Sequence, residues 1–271
     1  MKIYDCFSYW DEDLLLDLRL NILNKYVDYF VIVEGNKTWQ NNPKNLRFDI
    51  NKFPNFKKKI IYIPVEDMPD GDDPYLRENF QRNCILRGLN SSSEDDVVII
   101  SDLDEIPNPK SINQFQKKMK YAAFKQNHYY YKMNLQSTQN PYWHGSRICI
   151  KKFLKSPQWL RNLKFKKRPF WRIDKLRLNN IITNGGWHFC NLKTAEQLLY
   201  KYKNLCETND PYHFKEKIDQ KYLQIAEIEK KIISGQDIIG RDEVYKPKIL
   251  DKSFPEYLLQ NITRYKDWII N

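Results

Sequence analysis

Three carboxylates, Asp102, Asp104 and Glu105, fall within four positions just behind an aliphatic run at 97–100, and two prolines follow. Carboxylates crowded at the end of a buried strand repel one another and lose hydration, a cost that folding alone does not offset. Alternate residues of an extended segment point the same way, so Asp102 and Asp104 can face one cation, and hard oxygen ligands suit Mg²⁺ or Mn²⁺. A cation there can bridge a diphosphate and neutralise the charge that builds on it as it departs. The three letters of a D-x-D are weak alone, because Asp104 or Asn108 would serve equally to cap a helix from Pro109. The buried-strand position favours the metal.

A second cluster is Gly185-Gly186-Trp187-His188. Two glycines allow close backbone approach to a ligand, and the tryptophan offers a flat apolar face to a sugar or base. His188, one of 4 histidines, can ligate the metal or move a proton near neutral pH, against the plainer reading of a satisfied structural histidine. Glu34 with Asn36 and Thr38 can hold a ribose or base, or form an Asn-bent turn. Arg77, Glu78, Gln81 and Arg82 share one helix. A salt-bridged solvent face is the plain reading there, and Arg82 beside a diphosphate the functional one.

These groups need a scaffold, and the first hundred residues supply an alternation of strand and helix. Strands are expected at 2–7, 29–34, 59–65 and 96–101, and helices at 11–26, with Leu14, Leu15, Leu18 and Ile22 on one face, and at 74–89. Continuous apolar runs suggest strands covered on both faces, hence a mainly parallel, Rossmann-like sheet whose ligands sit beyond the carboxyl ends of the strands. No glycine-rich dinucleotide fingerprint follows any of them. Further on, 121–134, 146–153 and 183–190 read as strands, and 194–204, 213–234 and 255–269 as helices. With no repeat or linker, the chain reads as one domain over 1–271, with a nucleotide-binding half at 1–110 and an acceptor half at 111–271 carrying the C-terminal helices.

The 271 residues are ample for a core, and a net charge of +11 leaves nucleic acid, an anionic membrane surface or a phosphorylated substrate as partners. Mean hydropathy of -0.73 and the lack of an 18-residue apolar run exclude a membrane span, and a peripheral membrane contact stays compatible. Abundant Lys, Asn and Ile would follow from AT-rich coding alone. The interleaved run "RNLKFKKRPFWR" at 161–172 is the exception. Five cysteines, odd in number and without a C-x-x-C, give neither a disulfide framework nor a zinc knuckle and suggest a reducing compartment.

With these residues in place, the chain resembles glycosyltransferase family seventeen, the bisecting N-acetylglucosaminyltransferase family. The matching stretches are "DCFSYWDEDLLLDLRLNIL", "VDYFVIVEGNKTWQNNPKNLRF", "VVIISDLDEIPNP", "NGGWHFC" and "PEYLLQN", in the family's order from about Asp5 to Leu259. The resemblance implies a GT-A type Rossmann-like α/β domain and a metal-dependent, inverting transfer of N-acetylglucosamine from a UDP-sugar to a glycan hydroxyl. It puts Asp102, Asp104 and His188 at the metal and the diphosphate. The displacement needs a base for the acceptor's proton, and Glu105 and His188 are the candidates, with Asp210 and Glu216 behind them. Animal members carry an N-terminal anchor, whereas this chain begins at the catalytic strand. That suggests a bacterial or viral enzyme working in the cytoplasm. Two other classes stay open: a Mg²⁺-dependent phosphoesterase on a Rossmann-like sheet, and a basic nucleic-acid binder using the 161–172 run.

Overall fold

The expected alternation is built by β1 (Ile3–Ser8), α1 (Asp13–Leu23), β2 (Tyr29–Gly35), β3 (Ile60–Val65), α2 (Pro74–Asn83), α3 (Ile85–Gly88) and β4 (Val97–Asp102). The computed structural model describes residues 1–164, 178–206 and 223–270. β2, β1 and β4 lie side by side and parallel, with β3 parallel on the outer edge of β2. Successive residues of β2 face opposite sides, Phe30 and Ile32 into one cluster of buried residues, Val31 and Val33 into another. Burial on both faces is why the strand reads as an unbroken apolar run. The helix expected at 74–89 starts on Asp73, whose side chain accepts from the Tyr75 amide at 2.9 Å, with Pro74 in the first turn. It breaks at Cys84 into α2 and α3.

The later strands are β5 (Glu105–Pro107), β6 (Tyr121–Phe124), β7 (Gln126–Tyr130), β8 (Leu135–Ser137), β9 (Tyr142–Trp143), β10 (Arg147–Ile150), β11 (Ile181–Ile182), β12 (Gly186–Cys190) and β13 (Tyr245–Pro247). The first sheet has the order β11-β6-β10-β4-β1-β2-β3, with β10 antiparallel to both neighbours. It is mixed but mainly parallel. A second sheet, not expected from the sequence, runs β13-β8-β7-β12-β5 with β9 beside β7. Apart from the parallel pair β7 and β12, its pairs are antiparallel.

The single strand expected over 121–134 is therefore two strands in two sheets. They meet at Lys125, whose amide donates to the Ile182 carbonyl at 2.9 Å and whose carbonyl accepts from Gly185 at 2.8 Å. The chain 181–190 crosses beside it, from β11 to β12. The remaining helices are α4 (Pro157–Arg161), α5 (Ala195–Asn204), α6 (Ile225–Ser234), α7 (Glu256–Gln260) and α8 (Ile262–Tyr265). Thr194 and Gln197 form a reciprocal cap on α5, and Gly235 in the left-handed region ends α6. The helix expected at 255–269 is interrupted at Asn261, where φ is -125°. Of the helix expected at 213–234, only the last part is described.

Candidate active site

A cleft of about 400 Å³ opens beyond the ends of β1 and β4, as expected for a parallel sheet. β4 delivers Asp102 to it, and the turn to β5 delivers Asp104 and Glu105. That turn is fastened from below by Arg19 of α1. Its guanidinium pairs with Asp5 at 2.7 and 2.6 Å and donates to the carbonyls of Asp102 (3.1 Å), Leu103 (3.1 Å) and Glu105 (2.8 Å). Arg19 and Asp5 are both 0% exposed. Three charge-assisted bonds thus fix the backbone from which the D-x-D carboxylates project, and two more hold the guanidinium on Asp5.

Two more arginines act on the carboxylates themselves. Arg82 of α2 reaches Asp102 Oδ1 at 3.1 Å and Glu78 at 2.7 Å, and donates to the Gln158 side chain. Arg161, at the end of α4, reaches Asp102 Oδ2 at 2.6 Å and both oxygens of Glu105 at 2.7 and 3.0 Å. Burial alone would raise the pKa of Asp102, but Arg161 and Arg82 outweigh it and hold the group below the usual carboxylate range. Burial disfavours both guanidinium cations, and the neighbouring carboxylates together more than restore them, Asp102 with Glu78 at Arg82 and Asp102 with Glu105 at Arg161. The Asp102 side chain is still 40% exposed, so its pairs are open to solvent screening and serve position more than stability.

Glu105 has a different environment from its neighbours. It is 1% exposed and accepts from Arg161 twice, from Trp143 Nε1 at 2.6 Å and from the Asp102 amide at 3.1 Å. Four donors occupy the lone pairs of its two oxygens, which makes it an anchor rather than a free base. Asp104 faces His188, its Oδ1 lying 3.5 Å from Nε2. Burial would raise Asp104 and lower His188, but each holds the other in its charged form, Asp104 below and His188 above its ordinary value. His188 Nδ1 is buried without a hydrogen-bond partner.

Trp10 and Trp39 form part of the cleft wall, their rings 5.5 Å apart, and Lys193, Lys201 and Arg241 add positive charge. A second, wider cleft of about 1160 Å³ shares Glu78, Arg82, Asp102, Tyr130, Trp143 and Arg241 with the first. Cations, aromatic faces and carboxylates at the junction of two clefts suit a bound diphosphate with a flat or sugar group on either side.

Several expected site residues do other work. Glu34 is 0% exposed, pairs with Lys44, and accepts from the amides of Arg47 (2.8 Å) and Phe48 (3.0 Å) and from Tyr62 (3.0 Å). It pins the loop after β2. Thr38 accepts from the Asn42 amide and Asn36 donates to the Glu66 carbonyl, so both shape the same loop. None of these three lines the cleft. Gly186 has φ +123°, and a Cβ there would lie 2.1 Å from the Ile106 carbonyl; at Gly185 it would lie 2.6 Å from Lys125 N. The pair lets β12 close on β5 and on Lys125, and neither glycine lines the two clefts. Trp187 is turned to the other face, 5% exposed, donating Nε1 to the Ser253 carbonyl at 2.8 Å. Arg77 and Gln81, read as parts of a solvent face, are buried with Arg82.

Asp210, Glu216 and most of the run 161–172 lie outside the described residues. Residues the sequence reading missed are Arg19, Trp10, Trp39, Trp143 and His128; Arg161 stood within the basic run but carried no role of its own.

A family model described as glycosyltransferase family 17 matches residues 1–266. The human and rat β-1,4-mannosyl-glycoprotein 4-β-N-acetylglucosaminyltransferases are each 35% identical over 104 residues, and the mouse protein 34%. Each match covers 34% of this chain and 19% of the relative, so the chain matches about a fifth of their length. Among solved structures, 2-C-methyl-D-erythritol 4-phosphate cytidylyltransferase of Francisella tularensis aligns over 76% of this chain and 100% of its own, at 13% identity and a TM-score of 0.34. Among the described residues no helix is long and apolar enough to cross a membrane. Matched along nearly its whole length, the chain belongs to glycosyltransferase family 17, a family of sugar-transferring enzymes.

Proposed function

We propose that this glycosyltransferase moves N-acetylglucosamine from UDP-N-acetylglucosamine to a glycan hydroxyl, inverting the anomeric centre, on a GT-A type domain. The observation that carries the reading is Asp102 of the D-x-D held between Arg82 and Arg161 where two clefts meet. Each Asp102 oxygen accepts from one guanidinium and keeps a lone pair, and Asp104 projects into the same cleft. These donors fit a hard cation. Asp102 and Asp104 would hold Mn²⁺ or Mg²⁺, which supplies charge neutralisation at the departing diphosphate.

Arg82 and Arg161 then turn from the carboxylates toward the phosphate oxygens, and the Trp10 and Trp39 faces receive the flat part of the donor. The acceptor hydroxyl attacks the anomeric carbon opposite the diphosphate. Its new C–O bond forms as the bond to the diphosphate breaks, and its proton passes to a base. Glu105 is too fully engaged for that task, and Asp210 and Glu216 keep their candidacy. The described arginines converge on carboxylates inside the cleft, which favours a diphosphate over a polymer backbone.

Thermal unfolding with UDP tests the reading. UDP with Mn²⁺ or Mg²⁺ at about 100 times its Kd adds about 2.7 kcal/mol of stability, and the shift disappears in Asp104→Ala. No shift with either metal, beside a large one with double-stranded DNA, hands the protein to the nucleic-acid reading.

A further inference from the structure

β7 and β12 run parallel, with His128 directly opposite His188. Side chains alternate along a strand, so Cys190, two residues beyond His188, lies on the same face. The result is a cluster in which the ligand atoms of His128, His188 and Cys190 lie within 4.8 Å of one another. His128 and His188 are 4% and 6% exposed.

The hydrogen bonding of the two imidazoles is complementary. His128 Nδ1 lies 3.1 Å from the Asn140 carbonyl, which can only accept, so Nδ1 carries the hydrogen and Nε2 is left with a lone pair. His188 Nε2 faces the Asp104 carboxylate, which leaves Nδ1 as the nitrogen that offers the second lone pair once an arriving cation displaces its proton. Both of these nitrogens are buried without a hydrogen-bond partner. A buried imidazole nitrogen without a partner costs free energy, and two side by side are a feature that core packing does not explain. Histidines anchored by a carbonyl and a carboxylate on the outer nitrogen, with the inner nitrogen free, are oriented as metal ligands are.

From this we infer that His128 Nε2, His188 Nδ1 and Cys190 Sγ form a binding site for a borderline-soft divalent cation, Zn²⁺ by preference. Two imidazoles and one thiolate suit Zn²⁺ and Co²⁺ and are poor ligands for Mg²⁺ or Mn²⁺, so the site is chemically distinct from the D-x-D. Tetrahedral bonds of about 2.0–2.3 Å require the three atoms to draw closer than they stand. The rings stack with centroids 4.8 Å apart and planes 2° apart, so one of them must also turn about its Cβ–Cγ torsion, which is soft in histidine. His188 and Cys190 line the first cleft and His128 the second, which points the fourth coordination position at the clefts. A cation bound there ties β7 to β12 and, through His188, fixes the position of Asp104. The proposal does not depend on the identity of the transferred sugar.

Titration of the full chain with Co²⁺ tests it. The expected result is a sulfur-to-cobalt charge-transfer band with the visible bands of a tetrahedral ion, saturating at one equivalent and displaced by Zn²⁺. Cys190→Ser should abolish the charge-transfer band. Asp104→Ala, which keeps all three ligands, should weaken Co²⁺ binding about 10–100-fold. If Cys190→Ser does not fold, protection of Cys190 from alkylation by Zn²⁺ but not by Mg²⁺ in the unaltered protein serves in its place. Absence of a sulfur band at saturating Co²⁺, its full persistence in Cys190→Ser, or equal alkylation with both metals overturns the assignment.

Discussion

Replacing Arg19 with Met leaves the Asp5 carboxylate at 0% exposure with no counter-charge and removes the donor shared by three carbonyls of the D-x-D turn. Breaking a fully buried ion pair from one side costs about 3–5 kcal/mol, because the remaining charge keeps its desolvation penalty. Against a total stability of roughly 5–15 kcal/mol this is a large fraction. At about 2–4 °C per kcal/mol for a chain of this size, the melting temperature should fall by roughly 6–20 °C. The informative comparison is the double variant Asp5→Leu with Arg19→Met. Removing both charges should return most of the lost stability, since well-packed apolar residues replace buried pairs at little cost. The three carbonyls stay without their guanidinium, so the double variant should fold and yet bind UDP weakly. Urea unfolding gives the stabilities and calorimetric titration the affinity. A single variant that loses less than about 1 kcal/mol refutes the stability argument. A double variant with full UDP affinity refutes the positioning role.

Gly186→Ala puts a methyl 2.1 Å from the Ile106 carbonyl at a φ of +123°, and should cost at least about 3 kcal/mol in urea unfolding; a loss under 1 kcal/mol means the strands are free to part there. Asp96 accepts from the amides of Lys2 at 2.7 Å and Ser93 at 2.8 Å, which outweigh burial and hold its pKa below the usual value. A depressed carboxylate stabilises the fold above its unfolded pKa of about 4 and loses that contribution as the pH falls through the folded value. The stability gap between the native protein and Asp96→Asn should therefore be constant from neutrality to about pH 5 and narrow below about pH 4; a gap that widens toward acid contradicts the assignment.

The first half of the fold was legible because its strands are covered on both faces, so 29–34 and 96–101 appear as unbroken apolar runs, and because Asp73-Pro74 opens its helix with side-chain chemistry. The second half was not. Nothing in "YAAFKQNHYYYKMN" marks Lys125 as the point where the chain leaves one sheet for another, since both pieces keep the same alternation. The D-x-D could be read from its carboxylates, but its arginines could not. Arg82 sat in a polar helix face that tertiary packing buries, and Arg161 pairs across 56 and 59 residues with Glu105 and Asp102, a distance over which no local pattern speaks. The Gly-Gly-Trp-His cluster was found for the wrong reason. Its glycines admit a neighbouring strand, its tryptophan faces the core, and only the histidine reaches the cleft.

The five crossings between sheets, at 103–104, 108–120, Lys125, 144–146 and 183–185, bear on how the chain can be divided. A fragment ending near 110 would leave β4 without β10, turning an interior strand into an apolar edge that invites association with other copies. The complementary fragment would hold β10 and β6 with no sheet to join. Contacts that span the whole chain close late in folding, so neither sheet gains an early, independent start. Expression as halves should give insoluble material from both, and co-expression should be needed to recover either. Thermal unfolding of the intact chain should pass through one transition, because four strands of each sheet run directly into the other and melting either sheet pulls on them.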